Sequence, residues 1–132
     1  MDGEMKLTEI DALRAYARMM NTLDTSHIEP LLDDNFCYSS QWMFGEIPSK
    51  QEFLDYIKPQ LASIKQSGGR VYAEIAVIQA WGHNECVVTA EGERDNLIAT
   101  VFARVNDGKI RRIDMCNMPS PSETMRTGEY PS

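Results

Sequence analysis

The stretch from Leu13 to Tyr38 constrains the fold more than any other part of the sequence, because it predicts a long helix, a short helix and then a strand. Thr8 and Asp11, just before it, have the spacing of a capping box, so the first helix is expected to begin near Glu9. Apolar residues then recur with the 3.6-residue period of an amphipathic helix: Ile10, Leu13, Tyr16, Ala17, Met20 and Leu23. This order of elements is uncommon and indicates a specific fold.

A second capping-box pattern follows directly. Ser26 and Glu29 predict a short helix, and a strand is expected from Phe36 to about Gln41.

The third helix has the clearest start signal, because Ser49 and Glu52 again have capping-box spacing. Gly68 is expected to end this helix. Pro59 lies within it and lacks the N–H of a helical hydrogen bond, so we expect a bend or an interruption there.

From Arg70 onward the hydrophobic period changes to two, which is typical of strands. Four strands joined as antiparallel hairpins are expected at residues 70–80, 85–91, 96–106 and 109–118. The strand at 96–106 is apolar on both faces, so both faces are expected to be covered, one by the helices. Residues 1–118 are predicted to form a single domain, and residues 119–132, which lack periodicity, a C-terminal tail.

Composition excludes several classes of protein. The net charge of -7 argues against nucleic-acid binding, and no apolar run approaches the length of a membrane helix. Cys37, Cys86 and Cys116 are odd in number and have no CxxC spacing, which predicts neither disulfides nor a zinc site. A reducing, cytoplasmic location is therefore expected, with no metal and no cofactor.

Several segments resemble the nuclear transport factor 2-like superfamily in their order and spacing. They are Tyr16, the helix exit at Asn21–Thr25, the Leu31–Asn35 segment, and Gly45–Phe53 leading into the third helix. The resemblance implies an α+β, cystatin-like cone, in which three N-terminal helices pack in the concave face of a strongly curved mixed or antiparallel sheet. It also implies a homodimer formed through the outer face of the sheet.

In that superfamily the cone encloses an apolar pocket that is open at one end. The resemblance implies that the pocket lining comes from Tyr16, Met20, Tyr38, Ser40, Val101, Ala103, Ile113, Met115 and Asn117. Trp42 and Phe44 fall near the loop before the third helix, where relatives place their pocket rim. Sealing of the core beneath that loop is an equally good interpretation of these two aromatic residues.

Ketosteroid isomerases of this superfamily use a carboxylate base, a tyrosine and a protonated carboxylic acid. Tyr16 fills the tyrosine position, but Ser40 fills the position of the base and Val101 that of the acid. The isomerase set is therefore incomplete.

Other polar residues offer few catalytic candidates. Asp114 alternates out of phase with the inward residues and is expected to pair with Arg112 on the outer face; a one-residue shift in register would turn it, with Cys116, into the cone. His83 is predicted to be a solvated turn residue, and His27 has no partner nearby in sequence.

Three functions stay open. The leading hypothesis is a dimeric protein that binds a small, largely apolar molecule in its cone. The second is an isomerase, cyclase or dehydratase-type enzyme that uses Tyr16 with another polar pocket residue, such as Asn117 or Asp114. The third is an association module that acts through its sheet.

Overall fold

A curled seven-stranded sheet and two α-helices make up the computed structural model, in the residues that it describes, 6–42 and 45–132. The helices are α1 (Glu9–Thr22) and α2 (Lys50–Gln66). The strands are β1 (Leu32–Ser40), β2 (Glu46–Ile47), β3 (Val71–Ala80), β4 (His83–Glu91), β5 (Leu97–Asn106), β6 (Lys109–Cys116) and β7 (Met125–Glu129). The predicted α+β architecture, with helices inside a curved mixed sheet, is confirmed.

Helix α1 begins where its capping box predicts. The Thr8 hydroxyl accepts a hydrogen bond from the Asp11 backbone N–H at 3.3 Å, and the Asp11 carboxylate accepts one from the Thr8 N–H at 3.0 Å. These two bonds satisfy N–H groups that the helix itself leaves without partners. The helix ends at Thr22, and the next residue, Leu23, adopts a left-handed conformation with φ of 57°.

The second helical segment consists of two successive 3₁₀ turns, Thr25–His27 and Glu29–Leu31. Asp24 caps the first turn by accepting a hydrogen bond from the Ser26 N–H at 2.9 Å. Pro30 lies at the start of the second turn and has no N–H to donate, which opposes the joining of the two turns into one continuous helix. Strand β1 begins at Leu32, earlier than the expected start at Phe36.

Helix α2 runs without interruption through Pro59. Its start agrees with the third capping pattern, since the Ser49 hydroxyl accepts a hydrogen bond from the Glu52 N–H at 3.2 Å.

The sheet has the strand order β2-β1-β6-β5-β4-β3-β7. Strands β1 and β6 are parallel, and the other neighbours are antiparallel. Irregularities in register interrupt several of the pairings, including β4 with β5 and β5 with β6. Such bulges bend the strands and so help the sheet to curl around the helices.

The prediction that residues 119–132 form a tail is wrong. After a 3₁₀ turn at Pro121–Glu123, strand β7 pairs antiparallel with β3, with Val77 opposite Met125. The hydrophobic pattern gave no sign of this strand because its side chains are mostly exposed. Its anchor is polar: the Arg126 guanidinium donates to the buried Glu74 carboxylate at 2.8 Å.

Apolar residues are buried on both faces of the sheet. The larger core fills the space between the helices and the inner face, with Val101 on β5 fully buried. A smaller cluster occupies the outer face: Ala76, Cys86, Val88, Phe102 and Cys116. Burial raises the pKa of the Cys86 thiol to about 12 and that of Cys116 to about 11, so both act as small apolar residues.

Candidate functional site

A cavity of about 490 Å³ opens between the two helices and the inner face of the sheet. We call it the inner cavity. Its size lies within the range of small-molecule sites in proteins. It is lined by Tyr16, Met20, Tyr38, Ser40, Trp42, Phe53, Tyr56, Ile57, Gln60, Glu91, Ile98, Ala99 and Met115.

Three tyrosines supply the phenol groups of the inner cavity: Tyr16 from α1, Tyr38 from β1 and Tyr56 from α2. Tyr16 is only 2% exposed, and the rings of Tyr38 and Tyr56 lie 5.8 Å apart between centroids. Burial raises the pKa of Tyr16 and of Tyr38 well above the ordinary value of a phenol. Both hydroxyls are therefore protonated at neutral pH and available as hydrogen-bond donors.

The hydroxyls of Tyr16 and Tyr38 make few hydrogen bonds with the described residues of the protein. The Tyr38 hydroxyl donates to the Met115 sulfur at 3.8 Å, and a thioether is a weak acceptor. Within residues 6–42 and 45–132, the Tyr16 hydroxyl has no hydrogen-bond partner. The inner cavity therefore presents O–H donors to whatever occupies it.

The mouth of the inner cavity is partly apolar and partly polar. Trp42 is 56% exposed and Ile98 is 38% exposed, although both line the cavity. Gln60 and Glu91 also line it and are exposed. Glu91 is the one carboxylate among the described lining residues.

Six of the predicted lining residues lie around this cavity: Tyr16, Met20, Tyr38, Ser40, Trp42 and Met115. Val101, Ala103 and Ile113 face inward but do not line the cavity. They are buried in the core, where the helices pack directly against the sheet. Asn117 is exposed beyond the end of β6, and its N–H donates to the Gln41 side chain at 2.6 Å. Phe44 lies outside the described residues.

Sequence reasoning missed the contribution of α2 and of the β4–β5 hairpin. Phe53 and Ile57 belong to the apolar stripe of α2, which the sequence assigned only to the core. Tyr56 and Gln60 are four positions apart and therefore lie on one side of the helix, which was the available signal. Glu91, Ile98 and Ala99 complete the missed residues.

The register prediction for β6 is confirmed. Asp114 lies on the outer face, where its two carboxylate oxygens accept hydrogen bonds from the Arg112 Nε at 3.0 Å. Neither Asp114 nor Asn117 lines the inner cavity, so neither is placed to assist Tyr16. Ser40 does line the inner cavity, while Val101 is buried beside it.

A second cavity, of about 290 Å³, lies on the outer face of the sheet. We call it the outer cavity. It is lined by Ser39, Gln41, Trp81, His83, Phe102, Arg104, Arg112, Asp114, Met115 and Cys116.

His83 was predicted to be a solvated turn residue, and this prediction is wrong. It is the first residue of β4, and its side chain is only 6% exposed. Its ring packs against Phe102 with centroids 4.7 Å apart, and its Nδ1 lies 3.2 Å from the Glu9 carboxylate of α1. The contact with Glu9 links positions 74 residues apart, which no local pattern could indicate.

No cluster of three or more histidine, cysteine or acidic side chains that could hold a metal ion occurs in the described part of the chain. Across the same residues, no helix is both long and apolar enough to cross a membrane.

No protein-family model and no curated protein matches the sequence. Solved structures do match. A nuclear transport factor 2-like protein of unknown function from Cytophaga hutchinsonii is 12% identical, with a TM-score of 0.57, over 85% of this chain and 91% of that one. A protein of unknown function with a cystatin-like fold from Methylobium petroleophilum is 12% identical, with a TM-score of 0.57, over 95% and 90%.

A proposed polyketide cyclase from Sinorhizobium meliloti is 13% identical to this chain, with a TM-score of 0.55, over 83% of this chain and 99% of that one. Identities this low show the fold and leave the function open. The chain therefore has the cystatin-like cone fold of the nuclear transport factor 2-like proteins, as its sequence predicts.

Proposed function

We propose that the chain binds a small, largely apolar molecule in the inner cavity, and that this molecule carries an acceptor oxygen such as a carbonyl. The observation that carries the proposal is the cavity of about 490 Å³ lined by phenol hydroxyls with unused donor capacity. Most of its other lining is aromatic or aliphatic, including Phe53 and Ile57.

The sense of the hydrogen bond follows from the state of the tyrosines. A phenol whose pKa is raised by burial keeps its proton at neutral pH, so it has an O–H to donate to a ligand oxygen. A ligand oxygen between Tyr16 and Tyr38 would replace the weak contact of Tyr38 with the Met115 sulfur. A bound ketone therefore satisfies groups that a hydrocarbon leaves unpaired.

The test compares 2-acetylnaphthalene with 2-ethylnaphthalene, which has a similar shape but no oxygen. Isothermal titration should show the ketone binding about fivefold more tightly, the ratio that one neutral hydrogen bond supplies. In the double variant Tyr16→Phe/Tyr38→Phe the two affinities should become equal. A preference for the ketone that persists in this variant would contradict the assigned role of the tyrosines.

Adjacent serines provide matched variants for locating the site. Ser40 lines the inner cavity, whereas Ser39 points to the opposite face of β1 and lines the outer cavity. Ser40→Phe should greatly weaken binding of 2-acetylnaphthalene, and Ser39→Phe should leave it unchanged. Equal affinities in the two variants would place the ligand elsewhere.

An enzyme of the isomerase or cyclase type is a second candidate, because Glu91 lines the same cavity as the tyrosines. The proposed polyketide cyclase that shares the fold supports this candidate at the level of fold only. Glu91 would take a proton from the carbon beside a bound carbonyl, and a tyrosine hydroxyl would hydrogen-bond the enolate oxygen that forms. Return of a solvent proton to the same carbon completes the exchange.

The exchange is measurable without knowing the natural substrate. In D₂O the methyl protons of 2-acetylnaphthalene should be replaced by deuterium faster with the protein than without it, as followed by proton NMR. Glu91→Gln should abolish the acceleration while the ketone still binds. Absence of any acceleration in the wild-type chain would leave binding as the function.

A further inference from the structure

We propose that the outer cavity is a second small-molecule site, in which His83 Nε2 accepts a hydrogen bond from the hydroxyl of a small phenol. The inner cavity lies on the other face of the sheet and presents donors, so the outer cavity is chemically distinct from it. Its volume of about 290 Å³ suits a molecule with a single ring.

One nitrogen of the His83 ring is already engaged. Nδ1 lies 3.2 Å from Glu9 Oε1, and an ionised carboxylate can accept a hydrogen bond but cannot donate one. The proton of the neutral ring is therefore on Nδ1, and Nε2 carries a lone pair. Glu9 also fixes the orientation of the ring, as carboxylates do for functional histidines.

The second nitrogen of His83 is open to the outer cavity. Nε2 has no hydrogen-bond partner among residues 6–42 and 45–132. In that part of the chain, Thr89 Oγ1 is the one fully enclosed side-chain polar atom without a partner, so His83 Nε2 is accessible from outside. Since the side chain is otherwise buried and lines the outer cavity, that access comes from the cavity.

The walls around Nε2 fit an aromatic alcohol. Trp81 and Phe102, whose centroids are 5.6 Å apart, form an aromatic wall. Arg104 lines the same cavity, where its guanidinium lies 3.9 Å from Glu9 Oε2 and donates to the Trp81 carbonyl at 3.0 Å. Arg112 and Asp114 also line it, but the Arg112 charge is already paired, with Asp114 and with Glu46. The outer cavity thus favours a neutral ligand with one polar end.

The chain has two histidines, which makes nuclear magnetic resonance a direct test. The full-length protein, labelled with ¹⁵N histidine, is titrated at about pH 8 with 4-methylphenol, which is neutral there because phenols ionise near pH 10. The His83 Nε2 resonance should shift saturably, and the His27 resonances should not. The ether 4-methylanisole, which has no hydroxyl to donate, should bind about fivefold more weakly and leave Nε2 unshifted.

Crossed variants separate this proposal from the function proposed for the inner cavity. Ser39→Phe, which fills the outer cavity, should abolish the His83 response, while Ser40→Phe should preserve it. Glu9→Gln should mix the two ring tautomers, seen in the ¹⁵N shifts of His83 without ligand, and should weaken 4-methylphenol binding.

Two results would overturn the second site. One is a lack of any saturable shift at His83 in the wild-type chain, and the other is a shift that Ser40→Phe abolishes. Failure of 2-acetylnaphthalene to bind would refute only the inner-cavity function. That function is measured by isothermal titration and blocked by Ser40→Phe, whereas binding in the outer cavity is measured at the His83 resonance and blocked by Ser39→Phe.

Discussion

Glu129 in the last strand accepts a hydrogen bond from the Arg14 Nε in the first helix at 2.7 Å, across 115 positions of sequence. A second bond joins the Arg14 terminal nitrogen to the other carboxylate oxygen at 3.2 Å. Nearby, the Asn21 side-chain amide donates to the Pro131 carbonyl at 2.7 Å and to the Ala73 carbonyl at 2.8 Å. The C-terminal residues are therefore tied to α1 as well as to β3.

The ion pair of Arg14 with Glu129 predicts a pH dependence of stability. The hydrogen bond from Arg14 lowers the pKa of the Glu129 carboxyl below its ordinary value of 4.5. A carboxyl whose pKa is lower in the folded chain stabilises the fold above the unfolded pKa, and this contribution is lost as the pH falls through the folded pKa. The free energy of unfolding should therefore decrease from about pH 5 downward.

Urea denaturation from about pH 3 to 6 measures that dependence. In Glu129→Gln the free energy of unfolding should decrease less at acid pH, because the glutamine side chain cannot titrate. Glu93→Gln is the control, since the Glu93 carboxylate has no ion pair within the described residues. Identical pH profiles for the two variants would show that the pair of Arg14 with Glu129 contributes no acid sensitivity.

A buried carboxylate anchors β7, and removal of its cation should be costly. The Glu74 side chain is 4% exposed, and its carboxylate accepts hydrogen bonds from Arg126, from the Gly128 N–H at 2.7 Å and from the Tyr130 hydroxyl at 3.1 Å. Arg126→Met should lower the free energy of unfolding by about 3 kcal/mol, because it leaves a buried charge without its counter-ion. The hydrogen bonds from the Gly128 N–H and the Tyr130 hydroxyl to Glu74 remain in this variant, and they limit the loss of stability.

The matched control for Arg126→Met is Arg111→Met. Arg111 makes an exposed ion pair with Asp33 at 3.5 Å, so its loss should cost below about 1 kcal/mol. Urea denaturation of both variants gives the comparison. Equal costs at the two arginines would mean that β7 is not held by its buried pair.

Two buried threonines on neighbouring strands should respond oppositely to the same substitution. Thr89 on β4 is 1% exposed, and its hydroxyl has no hydrogen-bond partner in the described residues. Thr100 on β5 is also buried, but its hydroxyl donates to the Pro119 carbonyl at 2.9 Å and to the Cys116 carbonyl at 3.3 Å. Valine has nearly the same shape as threonine without the hydroxyl.

Thr89→Val should therefore raise the free energy of unfolding by about 1 kcal/mol, since it removes an unpaired buried hydroxyl. Thr100→Val should lower it by about 1 kcal/mol, since the Pro119 carbonyl loses the hydroxyl that donates to it. Thermal and urea unfolding both report the difference. A loss of stability in Thr89→Val would show that its hydroxyl finds a partner in solution.

Local signals in the sequence predicted the elements that depend on local interactions. The capping box at Thr8 and the N-cap at Ser49 fix where the two α-helices begin, because each involves residues only three positions apart. The alternation along β6 correctly turned Asp114 outward, since a strand with one buried face fixes its own register.

Features that depend on distant partners could not be predicted. Strand β7 is polar and is held by the contact of Arg126 with Glu74, 52 positions away. His83 is buried because Glu9 and Phe102 reach it from other elements. Whether an apolar residue of α2, such as Ile57, faces a cavity or solid core depends on how the helix is placed against the sheet, which periodicity does not specify.

A homodimer through the outer face of the sheet stays a prediction, and its strongest support is a pair of exposed apolar side chains. Trp81 and Met118 are each 60% exposed, and both line a surface groove of about 530 Å³ on that face, together with Ile78 and Pro119. Exposed apolar surface of this kind is typical of an interface, and a two-fold axis would bring the same patch of each copy together.

Sedimentation velocity at micromolar concentration should therefore show a dimer. The double variant Trp81→Ser/Met118→Ser should sediment as a monomer, whereas Met125→Ser should stay dimeric, because Met125 is also exposed but does not line the groove. A monomeric wild-type chain would remove the prediction, and an unchanged dimer in the double variant would move the interface away from this groove.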